Sequence, residues 1–470
     1  MRLNNFLAFL YLVCFCFVVF SCTKTEQSGT VLPEPADSIQ RINKWILDSM
    51  NKYYLGSDQF GSNISLTQDP QDLFQSLLQN TDHYSWISNG VNIGPEKNTY
   101  ERFGFHYIIV QHPALSDKLV GLVTLVCPGG PAATGGMKRG NYFLKVNGQY
   151  INDINIDRIV NELEASNCKI TPAAYQNNVW TENTQISLSS RYFEERPVFS
   201  KRVFKQGGVN TGYLFYNNFA EFFDKDLLDA LDSIRANNVT ELILDLRYNP
   251  GGSVATAAKM STVMLGSHVN SSTIFVRYKG NSKWGTVEQS FEKTLATSGN
   301  AYRKDFSSLM ANGLRLNRIF ILSGRSTASA AEMVINNLKP YINVVHIGEK
   351  TYGKNKAGLL IKDLRQPKQI FWYMQPMVFE IFNAKNQGGY SEGIVPDYNV
   401  LEYSQLPIYD LGNNNDLLIA SALKLIYGTN SVNAQTLRSN MKVFDISESD
   451  VRYNSIKVKP GELVMIEKPK

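Results

Sequence analysis

Ser329 and Lys354 are residue types that can act as nucleophile and base, and 25 positions separate them. Before the serine, Ile319-Phe320-Ile321-Leu322 has the length and β-branched content of a buried strand. A small polar turn follows, Ser323-Gly324-Arg325-Ser326-Thr327, and Ala328 to Ile335 reads as a helix. A second short strand, Val344 to Gly348, leads into Glu349-Lys350-Thr351-Tyr352-Gly353-Lys354. Neighbouring strand ends thus deliver a hydroxyl at a helix start and a lysine in a glycine-flanked turn. A serine hydroxyl is a poor nucleophile until a base removes its proton. A lysine can be that base only when neutral, which requires burial away from water and from acids. The same residues admit a structural account. Ser329-Ala330-Ala331-Glu332 is a capping box, Ser326 and Thr327 are rival hydroxyls, and Lys354 alone could be a solvated surface lysine. Gly324 to Ala328 approaches a nucleophile elbow but lacks its last glycine. Local pattern leaves both accounts open.

Thr327-Ala328-Ser329-Ala330-Ala331-Glu332, with Gly348 to Lys354, resembles the pair of active-site motifs in the C-terminal processing (tail-specific) serine peptidases. Two more segments agree in order, Leu244-Asp245-Leu246-Arg247-Tyr248-Asn249-Pro250-Gly251-Gly252 upstream and Gly393-Ile394-Val395-Pro396-Asp397 downstream. The resemblance implies a ClpP/crotonase-like α/β peptidase domain that works through an acyl-enzyme, without cofactor or metal. Ser329 is then the nucleophile, Lys354 the base, and Gly251, Gly252 and the amide of Ala330 the oxyanion hole. Glycines let backbone approach a substrate closely, and N–H groups at a helix start can hold a developing negative charge. Asp245 and Arg247 read as a buttress for that loop. Two positions depart from the family. Gly358 stands four residues after the lysine, where many members carry a glutamine that orients it, and Lys356 adds a second cation nearby. Tyr352 and Glu332 are then the candidates to orient Lys354. His346 offers a rival Ser-His-Asp arrangement, but it alternates within an apolar strand as core histidines do.

The elements that must carry these groups follow from hydrophobic pattern. Val209 to Tyr216 and Leu242 to Leu246 read as strands, and Leu227, Leu228, Leu231 and Ile234 line one helix face between them. Helix alternating with buried strand argues for an α/β layer with partly parallel pairing. A helix starts near Ser253, further strands are expected at Leu359–Ile361 and Ile370–Met374, and a last helix over Asp410–Tyr427. Beyond Gly428 the tail is polar and without motif. In the N-terminal region, Ile39, Ile42, Ile46, Met50 and Tyr53 have helical spacing behind a capping Asp37, and a second helix is expected near Asp72–Gln79. Asp82 to Ile87 is assigned to packing.

From about Thr99 to Ser187 the pattern changes to short strands and glycine turns. Arg102-Phe103-Gly104-Phe105 with Tyr107 to Val110 resembles the carboxylate-binding loop and strand of a PDZ domain, and Pro128 to Gly148 resembles the helix, turn and strand of such domains in this peptidase family. The resemblance implies capture of a terminal carboxylate by loop amides while the peptide adds a strand to the sheet edge. The partners expected are proteins or peptides with exposed C-terminal segments.

A chain of 470 residues, 43% hydrophobic and 19% charged, has material for several folded domains. Its formal charge of +5 has no basic cluster behind it, which gives nucleic-acid binding no support. Arg2, the apolar run Phe6–Phe20 and Ser21-Cys22 resemble a bacterial lipoprotein signal, so Cys22 is the expected lipidation site and the cell envelope, by a lipid anchor in the membrane, the expected address. The expected layout is a signal at 1–22, a tether at 23–36, a helical region at 37–95, a PDZ-like domain at 96–188, a peptidase domain at 189–430 and a tail at 431–470. Cys127 and Cys168 could pair or remain buried thiols. The alternative function is a catalytically silent peptide-binding scaffold lipoprotein of the same fold.

Overall fold

The computed structural model describes residues 36–428, except 91–98, 113, 114, 116, 177, 178, 301, 303 and 304, together with 446–456, 458, 464 and 465. The expected signal, Cys22 and the tether lie outside the described residues. Among those described, no helix is long and apolar enough to cross a membrane.

The centre is a six-stranded sheet in the order Val198–Gln206, Val209–Tyr216, Glu241–Asp245, Arg318–Ser323, Asn343–Gly348 and Tyr398–Asn399. Its first pair is antiparallel and the remaining neighbours are parallel. Alternate residues of a strand face opposite sides, and the sheet sorts its side chains accordingly. Leu214, Tyr216, Leu242, Leu244, Ile319 and Ile321 enter one core, with residues of the helices Asp224–Arg235, Val254–Leu265 and Ala330–Leu338. Tyr213, Phe215, Ile243, Phe320, Leu322 and Ile347 enter the opposite core, beneath the helix Leu417–Tyr427. Continuous apolar strands are thus explained by burial on both faces. The N-terminal helices Ala36–Tyr53 and Pro70–Ser76 join the first core through Ile42, Ile46, Met50 and Phe74. Asp37 lies inside the first of these helices rather than ahead of it.

Residues 105–182 form a second β-rich unit with its own core, in which Tyr107, Ile109, Val123, Phe143 and Ile170 pack with Ile159, Val160 and Leu163 of the helix Ile156–Leu163. Its sheet runs Val451–Asn454, Phe105–Gln111, Leu119–Val126, Tyr142–Val146, Asn167–Gln176 and Val179–Glu182. The C-terminal segment is therefore not a separate polar tail throughout: Val451–Asn454 is an outer strand of this sheet. Cys127 and Cys168 are buried free thiols rather than a pair, and burial pushes the Cys168 thiol up to about 12.

Several boundaries shift. The strands expected at Leu359–Ile361 and Ile370–Met374 are Lys356–Gly358, Ile361–Lys362 and Trp372–Gln375. The last helix begins at Leu417 because the Asp416 carboxylate caps the Ile419 amide. The second N-terminal helix starts at Pro70, where the Asp69 side chain accepts from Gln71 N.

Candidate active site

Three strand ends converge at Ser329. The strand Glu241–Asp245 leads through Arg247 and Tyr248 to Asn249, whose side chain and backbone tie the region together. Asn249 Nδ2 donates to Tyr216 O at 2.9 Å, its Oδ1 accepts from Gly251 N at 2.8 Å, and its carbonyl accepts from Ala328 N at 3.0 Å. Gly251 and Gly252 have φ of +107° and +132°, conformations closed to ordinary L side chains. A Cβ on Gly251 would lie 2.6 Å from Ser329 Cβ and 3.0 Å from Ala330 N, so only glycine fits against the serine. Gly251, Ala330 and Ser329 are thus brought together, whereas a Cβ on Gly252 would meet Phe219. In this conformation, however, the Gly251 amide is given to Asn249.

Ser329 stands at the N-terminus of the helix Ala330–Leu338 with φ 54° and ψ −118°, an uncommon backbone state for a residue with a Cβ. The two ends of the capping-box signature face each other, yet only the glutamate end makes a hydrogen bond. Glu332 Oε2 accepts from Ser329 N at 2.9 Å, while the buried Ser329 Oγ has no partner. The rival hydroxyl of Thr327 is used in structure: it donates to Leu246 O at 2.8 Å and accepts from Gly324 N at 2.9 Å.

Glu332 links the two motifs. Besides Ser329 N, its carboxylate accepts from Lys354 N at 2.8 Å, Gly353 N at 2.6 Å and the Thr351 hydroxyl at 2.5 Å. One buried carboxylate therefore fixes the backbone of serine and lysine together. Lys354 is fully buried, and its Nζ lies 5.8 Å from the centre of the Tyr84 ring, within cation–π reach. Of the two residues considered for orienting the lysine, Glu332 holds its backbone, whereas Tyr352 is 42% exposed. Tyr84 belongs to the Asp82–Ile87 segment, which packs against the lysine. Asp82 fixes that segment by accepting from Tyr84 N, Ser85 N and Ser85 Oγ. Gly358 lies in the strand Lys356–Gly358, immediately beyond the lysine turn.

Burial raises the Glu332 carboxyl to about 7, against the opposing pull of Thr351 and three amides. A carboxyl whose folded pKa exceeds its ordinary value of 4.5 contributes stability that is complete below that value and lost as pH rises through about 7. The melting-temperature difference between the natural chain and Glu332→Gln is expected to be larger near about pH 5 than near about pH 8. Equal differences at the two pH values would show that the folded carboxyl titrates normally.

His346 belongs elsewhere. Its Nε2 meets Ser323 Oγ at 2.6 Å, and its amide donates to Asp397 Oδ2 at 2.8 Å. Burial pushes the imidazole down to about 4, so it is a neutral core histidine. Asp397, from the downstream motif, holds strand backbone.

Beneath the glycine loop lies a buried charge network of which the sequence showed only the Asp245–Arg247 half. Arg247 pairs with Asp245 at 2.8 Å, Asp416 at 2.8 Å and Glu402 at 3.0 Å. Arg139, from the β-rich unit, reaches Glu402 at 2.7 Å, Asp416 at 3.2 Å and the Tyr248 hydroxyl at 2.7 Å. Burial acts to raise Glu402 and Asp416, but the two guanidiniums outweigh it and hold both below the usual range. Burial raises Asp245 despite Arg247. Arg139 stands in the Pro128–Gly148 segment and Glu402 and Asp416 near apolar stretches, but nothing in the sequence joins the three. A further buried pair, Lys259–Asp224, braces the helix that follows the loop.

The loop expected to bind carboxylate lies in the β-rich unit. Phe103 is buried in its core, Gly104 has φ +76°, Arg102 is exposed and the Phe105 ring lies 5.5 Å from Tyr107. The Phe103 and Gly104 carbonyls accept from Ala132 N and Cys127 N, each at 2.8 Å.

The mixed α/β fold has S41 protease-like structural neighbours. A crystal structure of a candidate S41 protease from Bacteroides fragilis NCTC 9343 superposes with a TM-score of 0.66 at 26% identity, covering 81% of this chain and 96% of that one. Residues 210–400 match the model for peptidase family S41, and residues 41–86 match the model for the peptidase S41 N-terminal domain. With the relatives below, these matches place the chain in the S41 peptidase family. Carboxy-terminal processing protease CtpA of Bacillus subtilis (strain 168) is 30% identical over 237 residues, and a candidate CtpA-like serine protease of Staphylococcus aureus (strain bovine RF122 / ET3-1) is 27% identical over 260. These matches cover 50% and 51% of this chain, and in each case the chain spans 45% of the relative's length.

Proposed function

We propose that this protein is a serine endopeptidase acting on exported proteins or peptides, which it recognises by their C-terminal segments. Ser329 Oγ attacks the scissile carbonyl while Lys354 Nζ takes its proton. Lys354 then returns the proton to the leaving amine as the acyl-enzyme forms, and water hydrolyses the ester with the same lysine as base. Ala330 N and Gly252 N are the candidate donors to the tetrahedral oxyanion, with Gly251 N joining if it leaves Asn249. The observation that carries this reading is the double role of Glu332, which holds the amides of both Ser329 and Lys354 while the serine hydroxyl is left unpartnered. The Arg102–Phe105 loop would receive the substrate's carboxylate, and lipidated Cys22 would anchor the enzyme in the cell envelope.

The test is cleavage of an unfolded protein, and of peptides with free or amidated C-termini, by residues 23–470 and by the Ser329→Ala variant. Cleavage lost in the variant, with preference for the free carboxylate, is expected. Peptide binding without cleavage would establish the silent scaffold instead. Gly251→Ala is expected to lower kcat by about 100-fold or more with little change in KM, because the added methyl displaces the serine. Unchanged kcat would remove Gly251 from the site.

A further inference from the structure

The strand Phe105–Gln111 begins at the Arg102–Phe105 loop, and the chain's own segment Val451–Asn454 covers its outer edge. The pairing is antiparallel, with Val451 opposite Val110, Tyr453 opposite Ile109 and Asn454 opposite Ile108. The segment therefore advances toward the loop as it runs to its C-terminal side, the direction in which a peptide would bring its carboxylate there. Ser455 continues the contact, donating its N–H to Tyr107 O at 3.0 Å and accepting from Tyr107 N through Oγ at 2.8 Å. The Tyr453 ring stacks on Tyr107, centres 5.8 Å apart and planes 26° apart, and packs on the core that includes Ile159 and Val160. Its hydroxyl reaches Glu164 at 3.5 Å, just past the helix Ile156–Leu163, and Arg452 pairs with Asp153 at 3.4 Å, just before it. The segment thus lies between a strand and a helix, as an added peptide strand would.

We propose that the segment around Tyr453 is an intramolecular ligand of this groove, which a peptide substrate must displace, and that the groove selects an aromatic side chain at the place Tyr453 fills. The proposal rests on reading the expected PDZ-like domain at 96–188 as a peptide-binding unit. Its hold is of the exchangeable kind: a bulge interrupts the register between Val451 and Tyr453, and the Arg452–Asp153 pair at the rim is 39% and 59% exposed. Exposed pairs of this sort add little. Tethering supplies the rest, because a linked ligand acts at an effective concentration on the order of millimolar. An external peptide meets the groove only in the fraction of molecules where the segment has left, and its apparent affinity falls by that fraction. A second tail strand, Val464–Met465, lies parallel to Lys356–Gly358, two residues past Lys354.

Binding of a labelled synthetic peptide with the sequence of residues 446–456 tests this by fluorescence anisotropy. All proteins carry Ser329→Ala, so the readout does not depend on catalysis and separates this proposal from the assignment of Ser329. A chain ending at residue 445 is expected to bind the peptide at least about tenfold more tightly than the full chain, and Tyr453→Ala in the full chain to recover much of that gain. The same peptide with alanine in place of Tyr453 should bind the shortened chain at least about tenfold more weakly. Because shortening could compromise folding, Val110→Cys with Val451→Cys provides a lock at a register pair. Oxidation should suppress binding and reduction restore it. The proposal is overturned if the oxidised and reduced forms bind alike, or if a folded shortened chain binds no better than the full one.

Discussion

Replacing Ser329 with alanine is expected to abolish peptide cleavage, with kcat falling by on the order of 10⁴-fold or more while peptide binding persists. The expectation follows from a hydroxyl that the fold leaves unused. Ser329 Oγ is buried and unpartnered at the start of a helix, in a backbone conformation that an ordinary capping serine does not need. Lys354→Met should fall on kcat by about 10²–10⁴-fold, the usual value of a positioned base, with little effect on KM. Lys354→Arg should not rescue it, since a guanidinium stays charged. A Ser329→Ala enzyme that still cuts would move the chemistry to another residue. Full activity in Lys354→Arg would leave the serine in place but reject the lysine as base.

Replacing Arg247 with alanine is expected to cost about 3–5 kcal/mol of folding stability, the usual consequence of removing one partner from a buried ion pair. Arg247 is among the largest fully buried side chains of the described residues, and it contacts three carboxylates at once. Without it, Glu402 and Asp416 keep Arg139 as a guanidinium partner, while Asp245 loses the one it has. Because Glu402 and Asp416 are held below their ordinary values in the folded state, their contribution to stability is present above those values and lost as pH falls through the folded ones. Asp245, raised by burial, works in the opposite sense. The natural chain's advantage over Arg247→Ala in denaturant unfolding should therefore shrink on acidification, as protonation relieves the stranded carboxylates. A cost below about 1 kcal/mol at neutral pH would mean that the three acids find other partners when the arginine is gone.

The sequence by itself marked Ser329 and Lys354 as candidates. Ser329 and Lys354 sit in short motifs at the ends of apolar strands, where chemistry and secondary structure are both encoded within a few residues. The period-two burial of Tyr213 to Tyr216 and of Ile319 to Leu322 likewise follows from local pattern once both faces of the sheet are covered. Tertiary structure alone decided what holds those groups. Glu332 carried the local signature of a helix cap, and only the approach of residues 351–354 turned it into the clamp on both motifs. Asn249 Nδ2 reaches Tyr216 O across 33 positions, which no spacing in the chain reports. Arg139 meets Glu402 across 263 positions, and Tyr107 meets Ser455 across 348. Such contacts depend on which surfaces the finished cores bring together. Hydrophobic periodicity describes each element's own face and not its distant partner, so a tail that reads as polar and featureless can still complete a sheet edge.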